Sequence, residues 1–382
     1  MSHKKTSSVL IKGLMCLLMA FVCVQGAVAH DFELNGICYN INSDGNTVTV
    51  TYYGSSFVES MFYYSGNVNI TSTVQYGGKS YNVTAIGNDA FQMCNMVTGI
   101  SLPSSIVTIG NNAFKGCGIT SFVLPKSVTY LGNDILNGCK SLESITVDNQ
   151  NTVFDSRFNC NAIVETSSNK LIAGCKNSTI PDNVTEIGRY AFIGQDVKYI
   201  EIPNSVLTIG ENAFSGCQML DSICIPDATT FIGASAFYYC KAMKKLIIGK
   251  SVNHLGDGAF SYCSGLQVVY ARMPDPREID CSNNCFAYSS ISNVTLYVPY
   301  GSRYIYEARD PWRNFSPILQ YADVPGDVND DGFTTAADIT EIYDFLLIGG
   351  NFTHYYRMDV NGDGSITAAD ITAIYDIMLG NY

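Results

Sequence analysis

The sequence predicts a repeat solenoid, mainly β, whose strands form a parallel ladder, with a β cap at the N-terminus and a small α-helical domain at the C-terminus. Three observations carry that prediction. Ile-Gly pairs and their Leu-Gly equivalents recur at Gly87, Gly110, Gly132, Gly188, Gly210, Gly233 and Gly256, in steps of 23, 22, 56, 22, 23 and 23 residues. One unit of 22 or 23 residues therefore repeats around a single long insertion. Inside each unit the same pattern returns: Ala-Phe or a substitute three and four residues after the Gly, usually a Cys seven after it, then a short alternating strand such as Leu220-Asp221-Ser222-Ile223-Cys224-Ile225, typically closed by Pro. The last 56 residues abandon this composition and hold ten acids against the single Arg357.

Taken in chain order, residues 1–29 read as an export signal: Lys4, Lys5 and Lys12 make a basic start, residues 14–24 an apolar run, and Ala27-Val28-Ala29 a small-residue cleavage site. A helix of that run spans only about 16 Å against roughly 30 Å of hydrocarbon, so it is no membrane anchor, and the chain is not expected to span a membrane. Neither Cys16 nor Cys23 follows the small residues a lipoprotein signal needs. The sequence therefore predicts a secreted or surface-held protein. Removal of the signal leaves 19 basic and 34 acidic residues, a net charge of −15. Such a balance argues against nucleic acid as a partner, because binding a phosphate backbone relies on Lys and Arg.

Residues 30–82 are Tyr- and Thr-rich, with hairpin-like strands, and form the expected cap. The solenoid is expected over residues 83–320. A unit with one short strand cannot bury its own apolar residues, so units must stack into one continuous core. Pro103, Pro125, Pro203, Pro226 and Pro299 stand just after strands, where a missing N–H does least harm. The recurrent Gly relieves a bend that a Cβ would crowd. The insertion, residues 148–181, reads as one irregular double coil with apolar stretches at 161–164 and 170–174. Residues 297–318 end the array with a helical, charged segment, followed by a linker at 321–326.

Twelve cysteines remain after signal removal, and in an exported chain they suggest either disulfides or packing. Cys94, Cys117, Cys139, Cys217, Cys240 and Cys263 all lie seven residues after a repeat Gly, as one buried core position would, and Gln195 takes that place in one unit. Cys281 with Cys285 and Cys160 with Cys175 are the better disulfide candidates.

The Ile-Gly, Ala-Phe, Cys and Ile-Pro pattern resembles the BspA-like leucine-rich repeats of secreted and surface proteins from Bacteroides-type bacteria, over roughly residues 81–318. The resemblance implies adhesion to host or microbial surfaces through a protein or glycan ligand that differs between members. Within the strands, apolar alternation turns Ile223 and Ile225 inward and the intervening residues outward. Early coils then present Gly99, Ser101, Ser121, Val123, Ser144 and Thr146. Later coils present the larger, more aromatic set Tyr199, Glu201, Lys245, Ile247, Val268, Tyr270 and Tyr297. Tyr199, Lys245, Ile247, Val268, Tyr270 and Tyr297 are the expected ligand contacts, centred between Lys245 and Tyr270.

In residues 327–382 two twelve-position calcium loops begin 32 residues apart, Asp327-Val328-Asn329-Asp330-Asp331-Gly332 and Asp359-Val360-Asn361-Gly362-Asp363-Gly364. Positions 1, 3 and 5 supply oxygen from Asp327, Asn329 and Asp331, or from Asp359, Asn361 and Asp363, and Gly occupies the sharp turn at 6. Phe333 or Ser365 offers the carbonyl at 7, Thr335 or Thr367 stands near a water at 9, and Asp338 or Asp370 closes the loop at 12. Two calcium ions are the expected cofactors, because the clustered carboxylates repel one another without a cation. Each loop runs into an apolar helix with no preceding helix, an arrangement that resembles a type I dockerin. That resemblance implies docking to a cohesin-like protein. Its partner-contact positions fall on Ala336, Ala337, Tyr343 and Asp344 and on Ala368, Ala369, Tyr375 and Asp376, where many members carry Ser-Thr and basic pairs.

Catalysis finds little support. The mature chain keeps His30, His254 and His354, with no nucleophile elbow, phosphate loop or paired-carboxylate constellation, so no catalytic residue is expected and the chain reads as a binding protein.

Overall fold

Each coil converts two stretches into strands, because stacking pairs every strand with its equivalent one coil away. The computed structural model describes residues 30–299, 301–321, 326–329, 334–348, 357–361 and 365–380. The export signal at 1–29, most of the linker, Asp331, Phe333, Asp363 and His354 lie outside the described residues. In the second half of the array, Ser222–Cys224, Lys245–Ile248, Val268–Ala271, Thr295–Pro299 and Ile318–Tyr321 form one long parallel ladder. In the first half its counterpart is two separate pairs, Gly66–Asn69 with Val97–Ser101 and Ser121–Leu124 with Ser144–Val147.

The sequence suggested one strand per unit, but a second parallel ladder runs along the Ile-Gly pairs. It links Glu186–Ile187, Thr208–Ile209, Phe231–Ile232, His254–Leu255 and Asp280–Cys281. These strands are two residues long, too short to show an alternation in sequence. The glycine that follows each of the first four lets neighbouring coils close up: a Cβ on Gly233 would lie 2.5 Å from the backbone nitrogen of Glu211, and one on Gly256 2.3 Å from that of Ala234.

Behind the ladders the Phe of each unit forms a stack, Phe192, Phe214, Phe237, Phe260 and Phe286, with successive ring centroids 5.0 to 5.3 Å apart. Trp312 and Phe315 meet Phe286 edge-on and close the stack. Beside it the repeat cysteines are buried, reduced, and hydrogen-bonded. Cys117 Sγ donates to the Phe91 carbonyl at 3.1 Å, Cys139 to Phe114, Cys217 to Phe192, Cys240 to Phe214 and Cys263 to Phe237. The position therefore needs a small buried donor, not merely a small apolar group. Its two exceptions obey the same rule: Gln195 Nε2 donates to Leu136 O at 3.4 Å and Ser289 Oγ to Phe260 O at 2.7 Å. Burial pushes the thiols of Cys94 and Cys139 up to about 12 and that of Cys217 higher still.

The residue just before this position is left-handed in all eight coils, at Met93, Gly116, Gly138, Gly194, Gly216, Tyr239, Tyr262 and Tyr288. That backbone costs a residue bearing a side chain roughly 1–2 kcal/mol, which is why glycine is its natural occupant.

The expected single core is in fact divided. Ala162–Glu165 and Lys170–Gly174 of the insertion form an antiparallel hairpin set across the array. Alternate residues face opposite ways: Ile163, Ala173 and Cys175 join a core running back to Phe32, while Cys160, Ala162, Val164 and Leu171 join one running on to Ile318. Cys160 and Cys175 thus serve different cores, whereas the Cys281 and Cys285 sulfurs lie 3.0 Å apart, in contact as thiols. Along the turn edge the flanking coils meet directly, with Gly138 N donating to Ile193 O at 3.3 Å. The N-terminal end is closed by the antiparallel strands Phe32–Leu34, Ile37–Ile41 and Thr47–Thr51, the last pairing in parallel with Lys79–Ile86.

Candidate functional site

The C-terminal module is built on two helices, Ala336–Ile348 and Ala368–Met378. Val328, Ile339, Ile342, Met358, Ile371 and Ile374 form its small core. The closing Asp of each loop lies in the first turn of its helix. Asp338 Oδ1 accepts from the backbone N–H of Val328 and Asn329 at 2.7 and 2.9 Å, and its Oδ2 accepts from Thr335 N at 2.7 Å. Asp370 repeats this with Asn361 N at 3.2 Å and Thr367 N at 2.8 Å. Thr335 and Thr367 cap the helices by accepting from Ala337 N and Ala369 N, each at 3.1 Å.

Asp327, Asp338 and Asp370 are all buried in a module whose one Lys or Arg, Arg357, lies 3.4 Å from Asp327. Buried carboxylates on this scale need a cation, and an all-oxygen donor set is the chemistry calcium takes. The residues present fit that ion. Among the described residues no group of three His, Cys, Asp or Glu side chains is gathered at one point. The position-5 residues Asp331 and Asp363 lie outside the described residues.

The expected docking positions are on the surface: Ala336, Ala337, Tyr343, Asp344, Ala368, Ala369 and Tyr375 are exposed and Asp376 is half-buried. They are joined there by Leu347, Ile348 and Leu379, apolar side chains that the sequence alone did not mark as surface, with Leu347 78% exposed.

On the solenoid the pairing register places Cys224, Ile247, Tyr270, Tyr297 and Leu319 in one column, with Ser222, Lys245, Val268 and Thr295 in the next. Tyr270 and Tyr297 stack at 4.8 Å, and Lys245 Nζ lies 5.1 Å from the Tyr270 ring centre. Tyr199 is exposed, while Lys245, Val268, Tyr270 and Tyr297 are half-buried. Ile247 departs from expectation: it is 3% exposed. The reason is a neighbour that strand alternation does not report. A cavity of about 300 Å³ lined by Tyr199, Glu201, Cys224, Lys245 and Ile247 is lined also by Asp359 and Ile366 of the second calcium loop. Burial, with Asp182 adding to it, raises the Glu201 carboxyl above its usual range, and burial pushes the Cys224 thiol up to about 12.

Comparison with known proteins adds the following. The family of BspA type leucine-rich repeat regions matches residues 55–184 and 185–307 in six copies, and the type I dockerin domain matches residues 325–379. Among solved structures, the pneumococcal vaccine antigen PcpA is similar at 17% identity and a TM-score of 0.50, over 77% of this chain and 98% of that one. A leucine-rich repeat protein from Eubacterium ventriosum matches at 21% identity and a TM-score of 0.44, over 72% and 85% of the two chains. One from Bacteroides ovatus matches at 19% and 0.35, over 76% and 100%. These likenesses concern the fold. No curated protein matches the chain. Among the described residues no helix is long and apolar enough to cross a membrane.

Proposed function

The chain belongs to the BspA-type leucine-rich-repeat family, and from that premise we propose that it is an exported, non-catalytic adhesin whose solenoid meets a host or microbial macromolecule and whose dockerin module depends on calcium. The observation that carries this reading is the long ladder. Its outward positions repeat a mixed aromatic and polar surface across successive strands, which suits a broad macromolecular partner better than a small substrate. The contact centres on Tyr199, Lys245, Val268, Tyr270 and Tyr297, with Ile247 in the same column as Tyr270 and Tyr297. Calcium, when bound, supplies the positive charge that the loop carboxylates share. The chain's own part is to hold Asp338 and Asp370 in place through backbone N–H groups, with Arg357 set against Asp327.

Calorimetric titration of residues 30–382 with calcium tests the module: two ions are expected, and one after Asp338→Ala. Unaltered stoichiometry in that variant would remove the loop assignment. For the solenoid, a Tyr270→Ala, Tyr297→Ala variant should lose most binding to surface macromolecules that the intact chain captures, without loss of the ladder's hydrogen-exchange protection.

A second reading has its own support. The exposed Tyr343, Leu347, Ile348, Tyr375 and Leu379 form an apolar surface repeated on the two module helices, which suits a structural component docked to a cohesin-like protein. Surface plasmon resonance against a cohesin module, with and without chelator, separates the two: calcium-dependent capture supports assembly, and no capture leaves the adhesin.

A further inference from the structure

We infer that Tyr239, Tyr262 and Tyr288, with Tyr238 beside them, form a binding strip for a neutral saccharide chain lying along the solenoid's turn edge. All three occupy the left-handed position that precedes the Cys position of the repeat, with φ of 62°, 59° and 59°. Four of the other five coils place glycine there, at Gly116, Gly138, Gly194 and Gly216. The backbone does the same work with either residue: Tyr239 N donates to Ser261 O and Tyr262 N to Ala287 O, each at 2.9 Å, as Gly216 N donates to Tyr238 O at 2.7 Å. The fold therefore asks for glycine, and three successive coils add a phenol against the backbone's preference. Strain of this kind persists where it serves a site.

Core packing does not account for the rings. Tyr288 is 73% exposed, Tyr238 is exposed, and none of the four belongs to either solenoid core. They contact one another instead: Tyr262 stacks on Tyr288 at 4.6 Å and takes Tyr238 edge-on at 5.2 Å. The result is a cluster of apolar rings edged by hydroxyls that runs across three successive coils, Tyr239 tilted against Tyr262 at 6.2 Å.

That combination selects a class of ligand. A sugar ring offers the same pairing, an apolar C–H face and a rim of hydroxyls, and a glycan repeats it along a line as the strip does. Charge narrows the choice. A mature chain at −15 repels polyanions. Lys241 Nζ already lies 4.1 Å from the Tyr239 ring centre, which discourages a second cation at that ring. A neutral polymer remains.

The test uses residues 30–382 in affinity electrophoresis through gels containing dextran, laminarin or yeast mannan, with an oligolysine peptide titrated separately. At least one neutral polysaccharide should retard the protein. The triple variant Tyr239→Gly, Tyr262→Gly, Tyr288→Gly should bind about ten-fold more weakly or worse, while its denaturation midpoint stays level or rises, since glycine relieves the backbone. Tyr288→Ala, at the most exposed ring, should give a partial loss. Four results would each overturn the proposal: no retardation by any of the three polymers, retardation equal in the triple variant, a midpoint that falls in that variant and so marks the rings as packing residues, or tyrosine-dependent binding of oligolysine alone.

Discussion

The two halves of the solenoid use the same repeat and reach different surfaces. Before the hairpin, the outward ladder positions Ser121, Val123, Ser144 and Thr146 are exposed, the left-handed turn is mostly glycine, and the aromatic stack stops after Phe114 because Leu136 takes the next place. After it, Tyr199 is exposed but Lys245, Val268, Tyr270 and Tyr297 are half-buried and Ile247 is buried, the last three turns carry tyrosine, and the phenylalanine stack runs unbroken to Trp312. Positions set by inter-coil hydrogen bonds keep their bonds in both halves, Gln195 and Ser289 donating where cysteine does elsewhere. The larger variation falls on surface side chains of the ladder and the turns, and it is there that recognition has room to develop.

The largest test of this division is Phe214→Ala, which should cost about 3–5 kcal/mol by opening a cavity in the stack. Hydrogen exchange should then speed up across residues 180–320 and stay slow over residues 37–147; equal loss in both would mean the hairpin does not separate the cores. Gly233→Ala should cost about 1–3 kcal/mol in a guanidinium titration, because its Cβ would meet backbone 2.5 Å away. Gly138→Ala, with nothing within 4 Å but φ at +69°, should cost only the roughly 1–2 kcal/mol of the left-handed backbone.

A finer comparison concerns the buried donor. Cys217→Ala leaves the Phe192 carbonyl without its thiol and should cost about 1–2 kcal/mol, with Cys217→Ser retaining more of the stability. The smallest expected effect is a gain: Gln195→Cys removes a buried Oε1 that has no hydrogen-bond partner and should stabilise by roughly 1 kcal/mol. A loss on that substitution would show that the Gln195 bond to Leu136 is worth more than its 3.4 Å length suggests.

The period, the strand ladder and the buried cysteine column could be read directly from the sequence, because each recurs at a fixed phase. The two acidic loops of the dockerin module were equally plain, since their oxygen-bearing side chains lie within twelve residues of one another. What the sequence hid were contacts between residues far apart in the chain. The thiol bond to a carbonyl one coil back is invisible without three-dimensional stacking, and so is the hairpin's division of the core, since Ala162, Ile163 and Val164 read as one apolar run. Ile247 reads as outward by alternation, and nothing local to its strand signals the second calcium loop 112 residues beyond, at Asp359. The tyrosine column lay in plain view at the glycine position of the repeat. Its meaning needed the left-handed φ, which sequence does not display.

The transverse hairpin also bears on how the chain acquires its structure. A polypeptide emerges from its N-terminus forward, and repeat arrays condense from neighbour to neighbour with few long-range closures. Once Ile163, Ala173 and Cys175 have joined the coils behind them, the first core is sealed before any residue of the second is required. The hairpin's other face, Ala162, Val164 and Leu171, is then left as a preformed edge on which the coil of Ile187 and Phe192 can settle. The same segment ends one folding unit and nucleates the next, so coils could be gained or lost on either side of it without disturbing the packing already laid down.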